Sequence, residues 1–265
     1  MENSGPATTF ELLGRKVLAV ADLHGHLAVF KKLLGELDKA LGQEYVLVTL
    51  GDYVDNGKEI RELLEFLIGL KEERGDRFFP VLGNHDLACL RALGWPTDKP
   101  DQVWFDRWAG RYWNVGGGTP QQYGAYSAIE FKEKFHKDHY TFLANLPWFV
   151  ECEGFFFVHA GLEKGPLAPQ RELLRARKPL EGTLTQHQLR NKDLAVVNDH
   201  EFEGIVVSGH TKAHQMVSRG ATLAQHGNFA DSKRITLNSN IDGSGGLNYV
   251  ILPDRTFGIQ SRITV

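Results

Sequence analysis

The sequence predicts an α/β fold with a two-layer β-sandwich core flanked by helices. Three observations lead there. Short apolar runs alternate with amphipathic stretches through the first ninety residues. The second half holds several further strand-like runs. Most of these runs break off into His, Asp or Asn beside a glycine. Alternation of this kind implies a parallel sheet with right-handed crossovers.

In chain order, "KVLAVAD" (16–22) reads as a strand and "LAVFKKLLGELDKAL" (27–41) has helical periodicity. "YVLVTLGD" (45–52) is a second strand, "KEIRELLEFLIGLKEE" (58–73) a second amphipathic helix, and "RFFPVLGNHD" (77–86) a third strand with a polar end. Residues 94–126 hold Trp95, Trp104, Trp108 and Trp113 with no sustained period. They are expected to form an insertion packed over one end of the sheet. A helix is expected at about 128–145. "PWFVECEG" and "FFFVHAG" then suggest a hairpin around 147–161, and "GIVVSGH" (204–210) another strand. The charged stretch 163–203 reads as a helix plus loop, and "RITLNSN", "LNYVILPD" and "FGIQSRITV" as closing strands.

Length and composition set outer bounds. The 265 residues, 42% hydrophobic and 24% charged, suit a globular chain with a sizeable core. A net charge of −3 argues against a nucleic-acid partner. Cys89 and Cys152 are too few for a disulfide framework and read as small buried hydrophobes. The N-terminus lacks the pattern of a secretory signal, and no apolar run approaches the ~18 residues of a membrane helix. A cytoplasmic chain without a membrane partner is expected.

The chemistry lies where the strands end. "ADLHGH" offers Asp22 and His24, "GDYVD" Asp52 and Asp55, and "GNHD" Asn84, His85 and Asp86. "VHAG" adds His159 and "SGHT" adds His210. Each cluster alone is weak, since a lone Asp-x-His is more often a capped turn. A lone His after an apolar run is usually a hydrogen-bonded core residue. Five such clusters in succession, each after an apolar run, point instead to convergence at one site. Imidazole, carboxylate and amide oxygen together suit Zn, Mn or Fe better than Ca or Mg. Asp52 has two oxygens and could bridge two ions, the arrangement that supports in-line phosphoryl displacement.

The order D-x-H-G, G-D-x-x-D-x-G, G-N-H-D/E, H-A/G-G and a late G-H resembles calcineurin-like metallophosphoesterases of the phosphoprotein-phosphatase type. It extends from residue 16 to about 252. "VHAGLEKG", "RELLRARK" and "VVSGH" are similar to the bacterial-like branch called Rhizobiales-like phosphatases, whose plant members are associated with phosphotyrosine. The resemblance implies the calcineurin-like fold, a single domain over 1–265, and a phosphoprotein or phosphopeptide substrate. It further implies Asp22, His24 and Asp52 as ligands of one divalent ion, and Asp52, Asn84, His159 and His210 as ligands of a second. By the same likeness, His85 is the general acid oriented by Asp55. A hydroxide bridging the ions is the nucleophile, with no phosphoenzyme.

One position departs from the family pattern. Where G-D-x-V-D-R-G places a phosphate-gripping arginine, this chain has Asn56, which supplies no charge. Arg190 in "HQLRNKD" is the first replacement, ahead of Arg175 and Arg177, which read better as a solvated helix face. Trp104, Trp108 or Tyr112, with Arg107 and Arg111, either forms a small satellite core or walls a pocket for an aromatic phosphoester. His26, His136, His139, His187, His200, His214 and His226 match no ligand position and are expected at the surface or beside the site. Asp242, in "NSNIDGSGG", is a neighbour of the site or a turn residue. Two other functions compete: a dinucleoside-polyphosphate hydrolase on the same fold, and a catalytically silent scaffold. The scaffold is disfavoured because all six ligands and His85 are present.

Overall fold

The structure is a computed structural model that describes residues 7–111, 118–177, 188–243 and 246–261. Two five-stranded mixed sheets lie face to face, with helices outside them. The first contains β1 (Val17–Val20), β2 (Val46–Thr49), β3 (Phe78–Pro80), β9 (Leu247–Leu252) and β10 (Thr256–Gln260), in the order β10-β9-β1-β2-β3. The second contains β4 (Phe149–Cys152), β5 (Phe155–Val158), β6 (Ile205–Ser208), β7 (Phe229–Ala230) and β8 (Arg234–Thr236), in the order β4-β5-β6-β8-β7.

The apolar runs are continuous because both faces of the central strands are covered. Val17 and Ala19 of β1, Val46 and Val48 of β2, and Phe155 and Phe157 of β5 fill the space between the sheets. The alternate residues Leu18, Val20, Leu47, Phe156 and Val158 face the helices, as the two-residue strand period requires. Helices α1 (Leu27–Leu41) and α2 (Ile60–Arg74) are the crossovers between the parallel strands β1, β2 and β3. After β8 the chain returns to the first sheet, where β9 pairs antiparallel with β1. The fold class read from the sequence is therefore the one observed.

One expectation needs correction. The helix expected at about 128–145 is two helices, α6 (Ala128–Lys134) and α7 (Lys137–Ala144). Phe135 and His136 between them are extended, and the buried Phe135 ring packs at a tilt on that of Tyr123, 4.5 Å between centroids. That burial sets the break. The stretch 94–126, which shows no sustained period in sequence, still carries short helices. It contains α4 (Gln102–Ala109) and α5 (Thr119–Gln122). Helix α4 packs on α3 (Asn84–Ala92) and α6, and its Phe105 and Trp108 contact Phe131 of α6. In the charged stretch, α8 (Leu167–Ala176) is present as expected, and residues 178–187 lie outside the described residues.

Candidate active site

All the strand-end clusters are brought together. Asp22 and His24 follow β1, Asp52 and Asp55 follow β2, and Asn84 and His85 open α3 just after β3. His159 follows β5 and His210 follows β6, so both sheets contribute. Asp52 sits centrally: its Oδ2 lies 3.7 Å from His24 Nε2, 3.9 Å from His85 Nε2 and 3.3 Å from His159 Nε2. His24 Nε2 is also 4.0 Å from Asp22 Oδ2, and the His210 backbone N–H donates to Asp22 Oδ1 at 2.9 Å.

Sharp chain reversal at the strand ends makes this crowding possible. His24, Asp52, Asp55, Asn56 and His210 all have left-handed backbones, with φ of 41°, 52°, 65°, 68° and 63°. Such conformations cost of order 1–3 kcal/mol each in a non-glycine residue and gather at functional sites. Gly83 and Gly209 are fixed by close approach. A Cβ on the first would strike Asp52 Oδ1, and one on the second Asp22 Oδ1.

The histidines share one design. His24 Nδ1 is 2.9 Å from the Val54 carbonyl, His159 Nδ1 is 2.6 Å from that of Leu50, and His210 Nε2 is 2.8 Å from that of Arg190. A carbonyl oxygen can only accept, so each of these nitrogens carries the proton and donates it. The opposite nitrogen is left facing the acids. This backbone anchoring is what ligand histidines require. Asn84 Oδ1 lies 3.0 Å from His159 Nε2, and with the amide turned over its nitrogen reaches His210 Nδ1 at 2.9 Å.

Asp22, Asp52, Asp55 and Asp86 are all buried, at 2% exposure or less. Burying carboxylates side by side is unfavourable without compensating positive charge. Burial, aided by Asp52, raises the pKa of Asp22. For Asp52, burial pushes up, but the charges of His159 and His85 prevail and hold it well below the usual range. Burial opposes charge on His85 and His159 too, yet Asp52, with Asp55 at His85 and Asp22 at His159, pushes each up to about 9. His210 goes the other way: burial and the neighbouring His159 press it down to about 3. These histidines and acids, with the Asn84 amide, form a donor set that fits divalent cations such as Zn, Mn or Fe.

Other residues fix the set: sequence reasoning gave Trp108 and Asp86 no such role and did not mark Thr119 or Ser239. Asp55 Oδ2 receives the Trp108 indole N–H at 2.8 Å and lies 2.8 Å from His85 Nδ1, while Thr119 donates to its Oδ1 at 2.6 Å. Trp108 was thus visible only as a possible pocket wall. Asp86 accepts from the backbone N–H groups of Asp52, Tyr53 and Gly83 at 2.8–2.9 Å, tying two strand-end loops together. Its place in the first turn of α3, three residues after Gly83, from whose backbone N–H it accepts, was the available signal. Ser239 donates to Asp22 Oδ1 at 2.8 Å, and nothing in the local sequence marks it.

The substrate side is less tightly built. Asn56 makes no side-chain hydrogen bond among the described residues. Arg190 is placed beside His210 by its own carbonyl. Arg190 lines a cavity with Asn84, Trp104, Arg107, Trp108 and Arg111. Among the described residues, no carboxylate pairs with Arg107, Arg111 or Arg190. Tyr112 lies outside the described residues. Arg175 pairs with Glu172 at 2.9 Å and Arg177 donates to the Ala144 carbonyl at 2.8 Å, which occupies both elsewhere. Asp242 Oδ1 stands 4.0 Å from His26 Nδ1. His139 and His200 are buried rather than at the surface, and His187 lies outside the described residues.

A cage of His, Asp and Asn thus stands at the strand ends of two facing sheets, a donor set suited to divalent cations. The chain belongs to the calcineurin-like phosphoesterase family, whose profile matches residues 15–238. It is similar to a Shewanella-like protein phosphatase 1 of Plasmodium berghei (strain Anka), 27% identical over 157 residues, 56% of this chain and 39% of that one. The chain thus spans well under half the length of that relative. Among solved structures, a candidate diadenosine tetraphosphatase aligns with TM-score 0.60 and 18% identity, over 98% of this chain and 100% of the other. A cold-active protein-tyrosine phosphatase of a psychrophilic Shewanella species aligns with TM-score 0.55 and 19% identity, over 97% and 83%. The two likenesses establish the calcineurin-like fold. Among the described residues, no helix is long and apolar enough to cross a membrane.

Proposed function

We propose that this chain is a metal-dependent phosphoprotein phosphatase of the Rhizobiales-like branch, hydrolysing phosphomonoesters with a preference for phosphotyrosine. One observation carries the reading. His85, bonded at Nδ1 to a buried Asp55, stands beside three histidines whose other ring nitrogens are tied to backbone carbonyls. An acid and a cation cage side by side suit phosphoester hydrolysis.

Asp22, His24 and Asp52 would hold one divalent ion, and Asp52, Asn84, His159 and His210 a second. Bound there, two such ions would activate a water for in-line attack and neutralise the phosphoryl oxygens. The protein's own groups do the rest. Asp55 accepts from His85 Nδ1, so the other proton of the imidazolium sits on Nε2, which faces the cage. The buried Asp55 carboxylate at Nδ1 favours the charged ring, so His85 is the group to donate that proton to the leaving oxygen. Trp108 and Thr119 hold Asp55, and so the ring, in place. Arg190 is the cation best placed to grip the phosphate that Asn56 cannot charge-pair. Trp104 and Trp108, with Arg107 and Arg111, wall the adjoining cavity where an aromatic ester would lie.

The test is a panel of phosphotyrosine and phosphothreonine peptides and a dinucleoside polyphosphate, assayed with added Mn. Fastest turnover of the phosphotyrosine peptide is expected. Efficient cleavage of the dinucleotide with neglect of the peptides would instead assign a dinucleoside-polyphosphate hydrolase. A purified chain with neither bound metal nor hydrolysis of p-nitrophenyl phosphate would be a scaffold.

A further inference from the structure

We propose a separate cation site of the zinc type between α2 and α7, held by Glu65, His136 and His139. Glu65 lies on α2, while His136 caps α7 and His139 sits in its first turn. Spacing of three along a helix puts both imidazoles on one side, and their ring centroids are 4.8 Å apart. Glu65 Oε1 stands 3.9 Å from His136 Nδ1 and 3.9 Å from His139 Nε2. The three donor atoms lie within 4.8 Å of one another. The acid–imidazole pairs of the strand-end cage span 3.3 to 4.0 Å, so the two clusters have the same open spacing. Zinc at ~2.0–2.1 Å from each donor wants neighbours roughly 3.4 Å apart, which small side-chain rotations supply.

A second observation points the same way. The Tyr123 hydroxyl lies 2.5 Å from His139 Nδ1. If Nδ1 donates to that oxygen, the Nε2 lone pair is aimed at Glu65, the outer partner that ligand histidines commonly have. The His139 ring is buried, whereas Glu65 and His136 are exposed. An ion could enter from solvent and keep a water as its fourth ligand. Arg61 opposes it. Its Nη2 is 3.2 Å from His136 Nε2, a donor that favours the proton on Nδ1, the nitrogen needed for the metal. Loading therefore requires Arg61 to release the ring.

Zn2+ binding to the full chain, measured by competition with a chromophoric chelator, tests the site. The wild type should bind one more ion per chain than the Glu65→Gln/His136→Gln variant, in which two exposed residues change. Tyr123→Phe should weaken that extra ion by about 10-fold. Arg61→Gln should strengthen it, which a casual surface contact would not predict. Equal stoichiometry in wild type and double variant, or an Arg61→Gln chain that binds the extra ion more weakly, would overturn the proposal. Both readouts are independent of the substrate and of catalysis.

Discussion

The strand-end cage and the α2–α7 cluster use the same side chains but are built in opposite ways. In the cage, His24, His159 and His210 are each anchored to a backbone carbonyl, and several residues sit on left-handed backbone. In the α2–α7 cluster, Glu65 and His139 lie within regular helices, and the anchor is a side-chain hydroxyl. Four carboxylates are sealed inside the cage, whereas Glu65 is exposed. Sealing acids behind strained turns makes a site that holds its charge whether or not it is used. The helix cluster can pair with solvent when no ion is bound. The first should therefore fail as a unit when one residue changes, and the second should be dispensable for hydrolysis.

Asp52→Asn attacks the centre of the cage and should have the largest effect. Turnover on p-nitrophenyl phosphate should fall by at least about 10³-fold together with bound metal, since one carboxylate faces His24, His85 and His159. Retained metal and activity would show that Asp52 is not shared. His85→Asn should lower kcat by about 10²–10⁴-fold while metal content stays near wild type. Its defect should be smallest on esters with good leaving groups, and a uniform defect would remove His85 from the acid role. Arg190→Ala should raise KM by about 10–100-fold with a smaller change in kcat, the scale of losing a charged hydrogen bond. Unchanged KM would shift phosphate binding to Arg107 or Arg111.

Metal loading should also depend on pH. His159 has its pKa raised to about 9 in the metal-free chain, so its contribution to metal-free stability is full below the ordinary 6.5 and lost as pH rises through 9. A ligand must give up that proton. Affinity for Mn or Zn should rise by about tenfold per pH unit from 6.5 toward 9, then level off. His210, pressed down to about 3, adds nothing to that slope. A flat profile would mean that the His159 proton does not compete. The smallest effect is expected at the helices, where His136→Gln should leave phosphatase kcat within about twofold, consistent with an exposed side chain away from the chemistry.

The cage was legible because its residues sit directly after apolar runs, beside glycines, in an order the chain itself preserves. Asp22, His24, Asp52, Asp55, Asn84, His85, His159 and His210 all met where the strand ends place them. The two-layer core was legible for a similar reason: runs such as "VLAV" and "FFFV" are apolar at every position, which only strands covered on both faces need. What stayed hidden depends on partners distant in sequence. Trp108, Thr119 and Ser239 serve Asp55 and Asp22 through hydrogen bonds whose donors no periodicity marks. The break at Phe135 was hidden because an apolar residue suits a helix as well as a buried break between two helices. Glu65, His136 and His139 escaped because they join only when α2 and α7 pack, and neither helix alone looks like a metal motif.

The central claim is that the strand-end cage holds the cations that drive phosphomonoester hydrolysis. Its most direct test is hydrolysis of a phosphotyrosine peptide by the purified chain, after chelation and then after addition of Mn. Activity should vanish on chelation, return with Mn in the wild type, and fail to return in Asp52→Asn. Hydrolysis that survives chelation, or returns in Asp52→Asn, would contradict it.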